Sequence, residues 1–226
     1  MTVRTAFVAD ATSGIGGATV TRFAAAGWRV VALGRRAERL AALRSTLGEG
    51  VVPLCVDIRD SDAVRSAVET LPDRFRGVDL LVNNAGTTCR RPPDADLDAV
   101  LAVVGANVTS LVWLARVLLP TLISRRGAII NLTAASDSHP DDITYEASKS
   151  LASHVFGRLH ADLRGSGVRT TAIEPGRGDT TIVANGAYRQ LDEADVADAM
   201  FAIAELPPHV IVERVEIMAV RQLLVG

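Results

Sequence analysis

Short apolar runs alternate with amphipathic stretches along the whole chain of 226 residues. The runs are rich in β-branched residues, which is typical of strands that are buried on both faces of a parallel sheet. They lie at Thr5–Ala9, Arg29–Leu33, Val51–Val56, Val78–Val82, Ala128–Leu132, Val168–Ile173 and, for a last strand, within Val210–Met218. This order of strands and helices predicts an α/β fold with a doubly wound parallel sheet, in a single domain over residues 1–226.

Helix signals mark the ends of two amphipathic stretches. Leucines from Leu40 to Leu47 recur at helical spacing, and Gly48 follows them as a typical helix stop. Farther along, Asp192 is a typical N-cap in front of another such repeat. The polar segment Asp179–Leu191 contains glycine and is expected to be a loop.

Charge and composition narrow the functional class. The 24 basic and 26 acidic residues nearly balance, so neither a nucleic acid nor an anionic membrane is expected as a partner. The first residues lack an apolar leader, and no apolar run is expected to be long enough to cross a bilayer. The sequence therefore predicts a cytoplasmic protein that binds a small-molecule substrate.

The cysteines and histidines give no metal-ligand pattern. Cys55 and Cys89 lack the spacing of a metal or redox pair, and Cys55 is expected to lie in the core because it belongs to an apolar run. The histidines share no metal spacing either, and they are His139, His154, His160 and His209. No metal site is predicted.

The first strand leads into a glycine-bearing turn, Ala9–Gly16, which a helix follows. A strand, a tight turn and a helix N-terminus form an anion site, because backbone N–H groups and the helix dipole face a bound pyrophosphate. Ser13, Gly14 and Ile15 are the expected contacts. Many such turns carry glycines for steric reasons alone, but the place at the first strand–helix junction favours a dinucleotide site and a Rossmann-type fold.

Two arginines, Arg35 and Arg36, follow the second strand. NAD-binding sites place an acid there for the ribose 2′-hydroxyl, whereas arginine suits the 2′-phosphate of NADP. The alternative is a solvated helix start. Together with the glycine-bearing turn, the pair favours NADP as the cofactor.

Polar residues also end the third and fourth strands. Asp57, followed by Ile58, either accepts a hydrogen bond from an adenine amino group or caps the next helix, with equal weight for the two. Asn84, Ala85 and Gly86 follow the fourth strand, where an asparagine can join neighbouring strands and small residues let a cofactor pass close. The alternative at that position is an ordinary turn.

Tyr145 and Lys149 lie four residues apart, on one face of an expected helix. An ammonium beside a phenol favours the phenolate, so the tyrosine can act as a general acid or base near neutral pH. The alternative is a surface tyrosine with a lysine nearby. Lys149 is also the only lysine among the 24 basic residues, which indicates a position where a guanidinium cannot replace an ammonium.

Together these motifs resemble the short-chain dehydrogenase/reductase family, from Thr5 to about Met218. Asn107, inside a helical stretch, and the run Glu174–Gly176 belong to the same resemblance. The tail Asp192–Gln222 looks like the branch of the family that oxidises serine and 3-hydroxy acids with NADP. The resemblance implies an NADP-dependent oxidoreductase that forms a homo-oligomer, a dimer or a tetramer, with a hetero-oligomer as the alternative.

The family's roles can be placed on matching residues of this chain. Tyr145 would pass the proton to or from the substrate oxygen, and Lys149 would bind the nicotinamide ribose. Asn107 would hold a water in the proton relay; the alternative is a helix irregularity satisfied by the backbone. The residues flanking the nicotinamide carboxamide would be Pro175, Gly176 and Thr180.

Two positions depart from the family pattern. Ala9 and Asp10 stand where the turn usually has Thr-Gly, and a carboxylate at about 5 Å from a phosphate would cost on the order of 3 kcal/mol at an effective dielectric of about 20. Ala134 stands where the family has the serine that orients the substrate, and the loss of that donor weakens catalysis. Thr133 and Ser136 are hydroxyls nearby, and a local shift could bring Ser136 into place.

Three hypotheses follow from these residues. The first is an NADP-dependent reductase or dehydrogenase with Tyr145 as the acid/base group. The second is a non-catalytic partner subunit that kept the fold, and the third is an enzyme that uses Tyr145 for non-redox acid/base chemistry. Retention of Lys149 favours the enzymes, whereas Asp10 and Ala134 favour the second and third hypotheses.

Overall fold

Seven strands form one sheet in a computed structural model that describes residues 3–87, 97–133, 143–176 and 191–219. The strands are β1 (Thr5–Val8), β2 (Arg29–Gly34), β3 (Val51–Cys55), β4 (Leu80–Asn83), β5 (Ala128–Leu132), β6 (Arg169–Pro175) and β7 (Arg214–Ile217). Every neighbouring pair is parallel, and the order across the sheet is β3-β2-β1-β4-β5-β6-β7. The prediction of a Rossmann-type α/β fold is confirmed.

Helices cover both faces of this sheet. They are α1 (Gly14–Ala25), α2 (Ala37–Leu47), α3 (Ser61–Glu69), α4 (Asp73–Arg76), α5 (Leu97–Val104), α6 (Ser110–Arg125), α7 (Ile143–Asp162) and α8 (Glu193–Ala204). Because successive strand side chains point to opposite faces, the sheet has two apolar cores. Phe7 packs into one core with Leu114 of α6, and Val8 packs into the other with Phe23 of α1 and Met200 of α8.

The helix ends follow the capping signals of the sequence. Helix α2 ends at Gly48, which is its C-cap residue with a φ of 75°. Helix α8 begins after Asp192, whose carboxylate accepts a hydrogen bond from the Asp195 N–H while the Asp195 carboxylate accepts one from the Asp192 N–H. The loop predicted over Asp179–Leu191 lies, except for its last residue, outside the described residues.

The edge strands differ from the expectation of strands buried on both faces. Strand β3 is at the sheet edge, and the Cys55 side chain is exposed, so its prediction as a core residue is wrong. A strand with one neighbour has fewer elements packed against it, and its apolar composition alone does not reveal this position. Cys89 and His139 lie outside the described residues.

One helical stretch is also more apolar than expected. Leu97–Arg125, which spans α5 and α6, is long and apolar enough to cross a membrane by length and composition, so the prediction that no run reaches this length is wrong. In the fold, Leu114, Leu118 and Leu122 of this stretch are buried in the core. Helix α6 therefore packs against the sheet and contributes to the core of the domain.

The strand order fixes where a ligand can bind. Strand β1 lies between β2 and β4, so the chain leaves the sheet in opposite directions after β1 and β4 and opens a crevice at their carboxyl ends. The glycine-bearing turn follows β1, and Asn84–Gly86 follows β4. Both sequence motifs therefore meet at this crevice.

Candidate active site

The glycine-bearing turn is fastened to the end of β4. Ser13 is the N-cap of α1, and its hydroxyl accepts a hydrogen bond from the Gly16 N–H at 3.2 Å. The Asn84 side-chain amide donates to that hydroxyl at 2.9 Å, as well as to the carbonyl oxygens of Ala9 and Asp10 at 3.3 Å. Asn84 thus joins neighbouring strands, as the sequence predicts, and the alternative of an ordinary turn is wrong.

Position 16 of this turn has room only for a glycine. A Cβ atom added there would lie 2.2 Å from the Asp10 carbonyl oxygen and 2.8 Å from the Asn84 amide nitrogen. Gly14 and Ile15 form the first turn of α1, where the N–H groups of the helix end are available to an anion.

Asp10 occupies a left-handed backbone conformation with a φ of 49°. Aspartate is one of the few non-glycine residues that tolerate it. Burial raises the pKa of the Asp10 carboxyl above its ordinary value, and the charges of Arg36 and Arg35 and a hydrogen bond with Ser13 partly oppose this. Asp10 therefore fits the turn where a glycine is expected, and it faces the two arginines after β2.

Arg35 and Arg36 lie beside the glycine-bearing turn. The Arg36 guanidinium donates to the Thr12 hydroxyl at 3.0 Å, and Arg39 of α2 donates to the Thr12 carbonyl at 3.2 Å. Arg35 lines the cleft at the sheet's carboxyl edge. Both arginines are exposed and Arg36 is the N-cap residue of α2, so the alternative of a solvated helix start stays open beside the predicted contact with a 2′-phosphate.

Asp57 pairs with a neighbouring arginine. The Arg59 backbone N–H donates to the Asp57 carboxylate at 2.9 Å, and the Arg59 guanidinium donates to both carboxylate oxygens. These hydrogen bonds lower the Asp57 pKa to about 2. The N-cap of α3 is Asp60, so the prediction that Asp57 caps this helix is wrong, and Asp57 stays a candidate contact for adenine.

A cleft of about 110 Å³ connects these groups. It runs along the carboxyl ends of β1 to β4, and its walls include Asp10, Arg35, Asp57, Ile58, Arg59, Ala85, Gly86 and Thr87. Five of the predicted cofactor contacts thus line one cleft, namely Arg35, Asp57, Ile58, Ala85 and Gly86. Pro175 and Gly176 end β6, and they are not part of this cleft.

Lys149 is buried next to the end of β5. Its ammonium donates to the Leu132 carbonyl at 3.3 Å, and its exposed fraction is 6 %. A Cβ atom added at Gly86 would lie 3.1 Å from this ammonium, so only a glycine lets the loop after β4 lie against it without displacement. Burial lowers the Lys149 pKa from 10.5 to about 8.

Tyr145 lies on the same face of α7, one turn before Lys149. The Lys149 ammonium is 5.7 Å from the centre of the tyrosine ring. The Ser148 hydroxyl donates to the Tyr145 carbonyl at 2.7 Å, which fixes the first turn of α7. The helical spacing of the sequence is therefore realised, and the alternative of a surface tyrosine with a lysine nearby does not describe this pair, because Tyr145 is half-buried and the Lys149 ammonium is buried.

Asn107 lies in a π-helical turn, Gly105–Thr109, between α5 and α6. Its amide oxygen accepts from the Thr87 N–H at 2.8 Å, and its amide nitrogen donates to the Thr87 carbonyl at 3.0 Å and to the Ser148 hydroxyl at 2.8 Å. The expected helix irregularity is present and bonds to backbone. Asn107 clamps the loop after β4 to α7, which carries Tyr145 and Lys149.

The substrate-orienting position is only partly described. The Thr133 hydroxyl is buried and donates to the Ile173 carbonyl of β6 at 3.2 Å, so it is committed to the sheet rather than to a substrate. Ala134 and Ser136 lie outside the described residues, as does Thr180. The sequence does not predict this hydrogen bond of Thr133, because its partner Ile173 is 40 residues away along the chain.

Several contacts of the site were not foreseen from the sequence. Ser148, Thr87 and Thr12 hold the predicted residues through hydrogen bonds. Only Arg59 had a local signal, since it lies two residues after Asp57. In the described part of the chain, no group of three or more histidine, cysteine or acidic residues could hold a metal ion.

Known proteins are similar to this chain in sequence and in fold. The family model described as short chain dehydrogenase matches residues 4–190. Serine 3-dehydrogenase of Agrobacterium fabrum is 36% identical over 239 residues, which cover 98% of this chain and 96% of that protein. Sulfoacetaldehyde reductase of Chromohalobacter salexigens is 40% identical over 238 residues, covering 96% of this chain and 94% of that protein.

A solved structure agrees at the level of the backbone. The closed form of a serine dehydrogenase complexed with NADP+ superposes with a TM-score of 0.87 at 31% identity, covering 98% of this chain and 97% of that one. The family and the enzyme class predicted from the sequence are thereby confirmed. The chain is an oxidoreductase, and it belongs to the short-chain dehydrogenase/reductase family.

Proposed function

We propose that this chain interconverts a hydroxyl and a carbonyl group on a small anionic substrate, with NADP(H) as its cofactor. The buried ammonium of Lys149, one turn after Tyr145 and against Gly86, carries this proposal. Burial of a charged group costs free energy, and a strongly shifted pKa in a cleft is typical of functional sites. An ammonium in that position serves a phenol and a ribose better than it serves the fold.

The described residues fit a dinucleotide. The turn after β1 offers the N-terminus of α1 to a pyrophosphate, and Ala85 and Gly86 leave the middle of the cleft without bulky side chains. Arg35 and Arg36 would bind a 2′-phosphate, since guanidinium groups match phosphate oxygens. The cofactor's other end would then lie near Lys149, whose ammonium can donate to ribose hydroxyls.

Proton transfer falls to Tyr145. NADP(H), when bound, supplies or accepts the hydride. In the reducing direction the Tyr145 hydroxyl donates its proton to the substrate oxygen, and in the oxidising direction the phenolate takes the proton from the substrate hydroxyl. The Lys149 ammonium stabilises the phenolate through its charge. Hydrogen bonds of Asn107 to Thr87 and Ser148 hold the loop after β4 against α7.

The substrate class comes from the relatives. Serine and sulfoacetaldehyde, which name two of them, both carry an acid group on the carbon next to the reacting carbon. We therefore propose a short 3-hydroxy acid, or the corresponding aldehyde with a carboxylate or sulfonate at that position, as the substrate. Pocket groups that hold an anionic substrate can discriminate strongly against a neutral analogue.

The chain is also proposed to form a homo-oligomer. Leu101 of α5, Val112 and Trp113 of α6, and Leu151 of α7 are large apolar side chains that are more than a third exposed. Such side chains on neighbouring helices favour burial against a second copy. Light scattering of the purified chain tests this proposal, and a monomer at micromolar concentration would contradict it. A cytoplasmic location stays a prediction.

Substrate-dependent oxidation of NADPH tests the proposed activity. We expect turnover with sulfoacetaldehyde and little with acetaldehyde, which lacks the acid group, and we expect NADP+ reduction with L-serine or 3-hydroxypropanoate. Ala134→Ser should raise the rate by restoring a donor to the substrate oxygen. Tight NADPH binding without turnover on any of these compounds would contradict the redox proposal and favour the partner-subunit hypothesis.

A further inference from the structure

Asp10 is held in place by its own backbone. Its carbonyl oxygen accepts hydrogen bonds from the Ser13 N–H at 3.1 Å, the Ser13 hydroxyl at 2.9 Å and the Asn84 amide at 3.3 Å. With its φ of 49°, the residue has the conformation that this turn requires. The backbone therefore cannot swing to relieve a poor side-chain contact.

The Asp10 side chain lines the same cleft as Arg35. The charges of Arg36 and Arg35 act on its carboxyl, and its partial burial means that these interactions are less screened than at an open surface. Asp10 thus shares the cleft with Arg35, while the Arg36 guanidinium is bound to the neighbouring Thr12 hydroxyl, so both arginines lie close enough for their charges to act on Asp10.

The other charges of the cleft are already paired. The Arg59 guanidinium donates to both oxygens of the Asp57 carboxylate, with a shortest distance of 2.6 Å. Arg59 therefore adds little net positive charge at that wall. The remaining charges around the turn are the negative charge of Asp10 and the positive charges of Arg35, Arg36 and Arg39, of which Arg39 is bound to the Thr12 carbonyl.

We propose that Asp10 is a determinant of cofactor choice: its carboxylate competes with the 2′-phosphate of NADP(H) for Arg35 and Arg36. This inference rests on the proposed use of a nicotinamide dinucleotide. The substitution of the expected glycine by aspartate lowers the preference for NADP(H) over NAD(H) without removing it. A carboxylate in this position also accepts a hydrogen bond from an uncharged ribose hydroxyl, which favours NAD(H).

Competition of this kind affects the two cofactors unequally. The 2′-phosphate brings negative charge to the arginines, so it is repelled by Asp10, whose carboxylate already offsets part of their positive charge. NADH has only hydroxyl groups at that ribose and meets no such repulsion. Removal of the Asp10 charge should therefore tighten NADPH binding about tenfold and leave NADH binding unchanged or slightly weaker.

Asp10→Asn is the sharpest variant for the test. Asparagine has nearly the same shape and also tolerates the left-handed conformation, so the variant removes the charge with little change in the turn. Asp10→Gly removes the side chain as well, and Asp162→Asn, at the far end of α7, is a matched control for the same chemical change. The Kd values of NADPH and NADH are measured by fluorescence at fixed salt and pH for the parent and each variant.

The expected result is a rise of at least fivefold in the ratio of NADPH to NADH affinity for both Asp10 variants and no change for Asp162→Asn. An unchanged ratio in Asp10→Asn, with the parent binding NADPH, would overturn this inference and leave the proposed function in place. Weaker NADPH binding in Asp10→Asn would overturn it too, because Asp10 would then assist the phosphate site. If the parent binds neither cofactor, the proposed function fails, and the inference fails with it.

Discussion

Lys149 and Arg35 carry the same charge at two ends of the candidate site, but in different surroundings. The Lys149 ammonium is 6 % exposed and donates to a backbone carbonyl, and burial lowers its pKa to about 8. Arg35 is exposed, and it shares its region with the carboxylates of Asp10 and Asp57. The end at Lys149 thus holds a buried charge, and the end at Arg35 holds several charges of both signs nearer to water.

This difference separates what each end can do. In a buried place, a small change in one group alters its proton affinity and the free energy of unfolding, because little solvent screens it. Between two exposed side chains, such as Asp57 and Arg59, salt and water reduce the same interaction to a fraction of a kcal/mol. The buried end is therefore suited to chemistry, and the exposed end to the choice between cofactors.

The largest effect is expected from Tyr145→Phe at the buried end. The ring stays and only the proton carrier is lost, so turnover should fall about 10²–10⁴-fold while NADPH affinity changes less than about threefold. Single-turnover rates together with NADPH titration measure both quantities. A variant that keeps more than a tenth of the parent rate would show that Tyr145 is not the acid/base group.

The next largest effect is expected from Lys149, on the pH dependence of the free energy of unfolding. The folded-state pKa of about 8 lies below the ordinary 10.5, so the unfolded chain binds more protons between these values and the free energy of unfolding should rise with pH from about 8 to 10.5. The full gain would be about 3 kcal/mol for a group this deeply buried.

Urea unfolding between pH 7 and pH 10.5 measures this dependence, and Lys149→Met is the control because it fills similar space without a titratable group. The parent should show the rise and the variant a flatter profile. Parallel profiles would mean that the ammonium is solvated in the folded chain. Lys149→Arg should impair both cofactor binding and turnover, since a larger planar guanidinium cannot take the place of a buried ammonium without displacing its neighbours.

The sequence predicted the fold because the signals for it are local. Apolar β-branched runs marked the strands to within a few residues, and the N-cap at Asp192 marked α8. The exposure of Cys55 could not be predicted in this way, because edge and central strands can have the same composition. Strand order decides burial, and it depends on pairing between distant segments.

In the candidate site too, local features could be predicted from the sequence and contacts between distant segments could not. The spacing of Tyr145 and Lys149 was readable because one helix carries both. The hydrogen bonds of Asn107 to Thr87 and Ser148 join three separate segments, and no local pattern encodes them. Asp57 was open between an adenine contact and a helix cap because an acid after a strand suits both, and the structure assigns the cap of α3 to Asp60.

At the exposed end, the double variant Arg35→Ala with Arg36→Ala tests cofactor choice. Hydrogen bonds to charged groups contribute about 1.5–3 kcal/mol, so NADPH affinity should fall on the order of 10- to 100-fold while NADH affinity changes little. Arg164→Ala, in the turn after α7 at the opposite end of the sheet, controls for the loss of positive charge. Equal losses for both cofactors would contradict the assignment of these arginines to the 2′-phosphate.

The smallest effect is expected from Arg59→Gln, which breaks the pair with Asp57. Hydrogen bonds from Arg59 lower the Asp57 pKa to about 2, so the pair contributes stability above pH 4 and loses it as the pH falls through about 2. Because the side chains of Asp57 and Arg59 are 33% and 42% exposed, solvent screens the pair and the variant should lose less than about 1 kcal/mol at pH 7.

Two measurements check this expectation. Urea unfolding at pH 7 and pH 2.5 gives the stability difference, which should shrink at the lower pH, and an NMR titration of Asp57 should show its pKa returning toward 3.8 in the variant. A loss of more than about 2 kcal/mol at pH 7 would mean that the pair behaves as a buried ion pair. The contrast between the two ends of the candidate site would then have to rest on Lys149 alone, since charge at the end proposed to select the cofactor would be as costly to disturb as charge around Lys149.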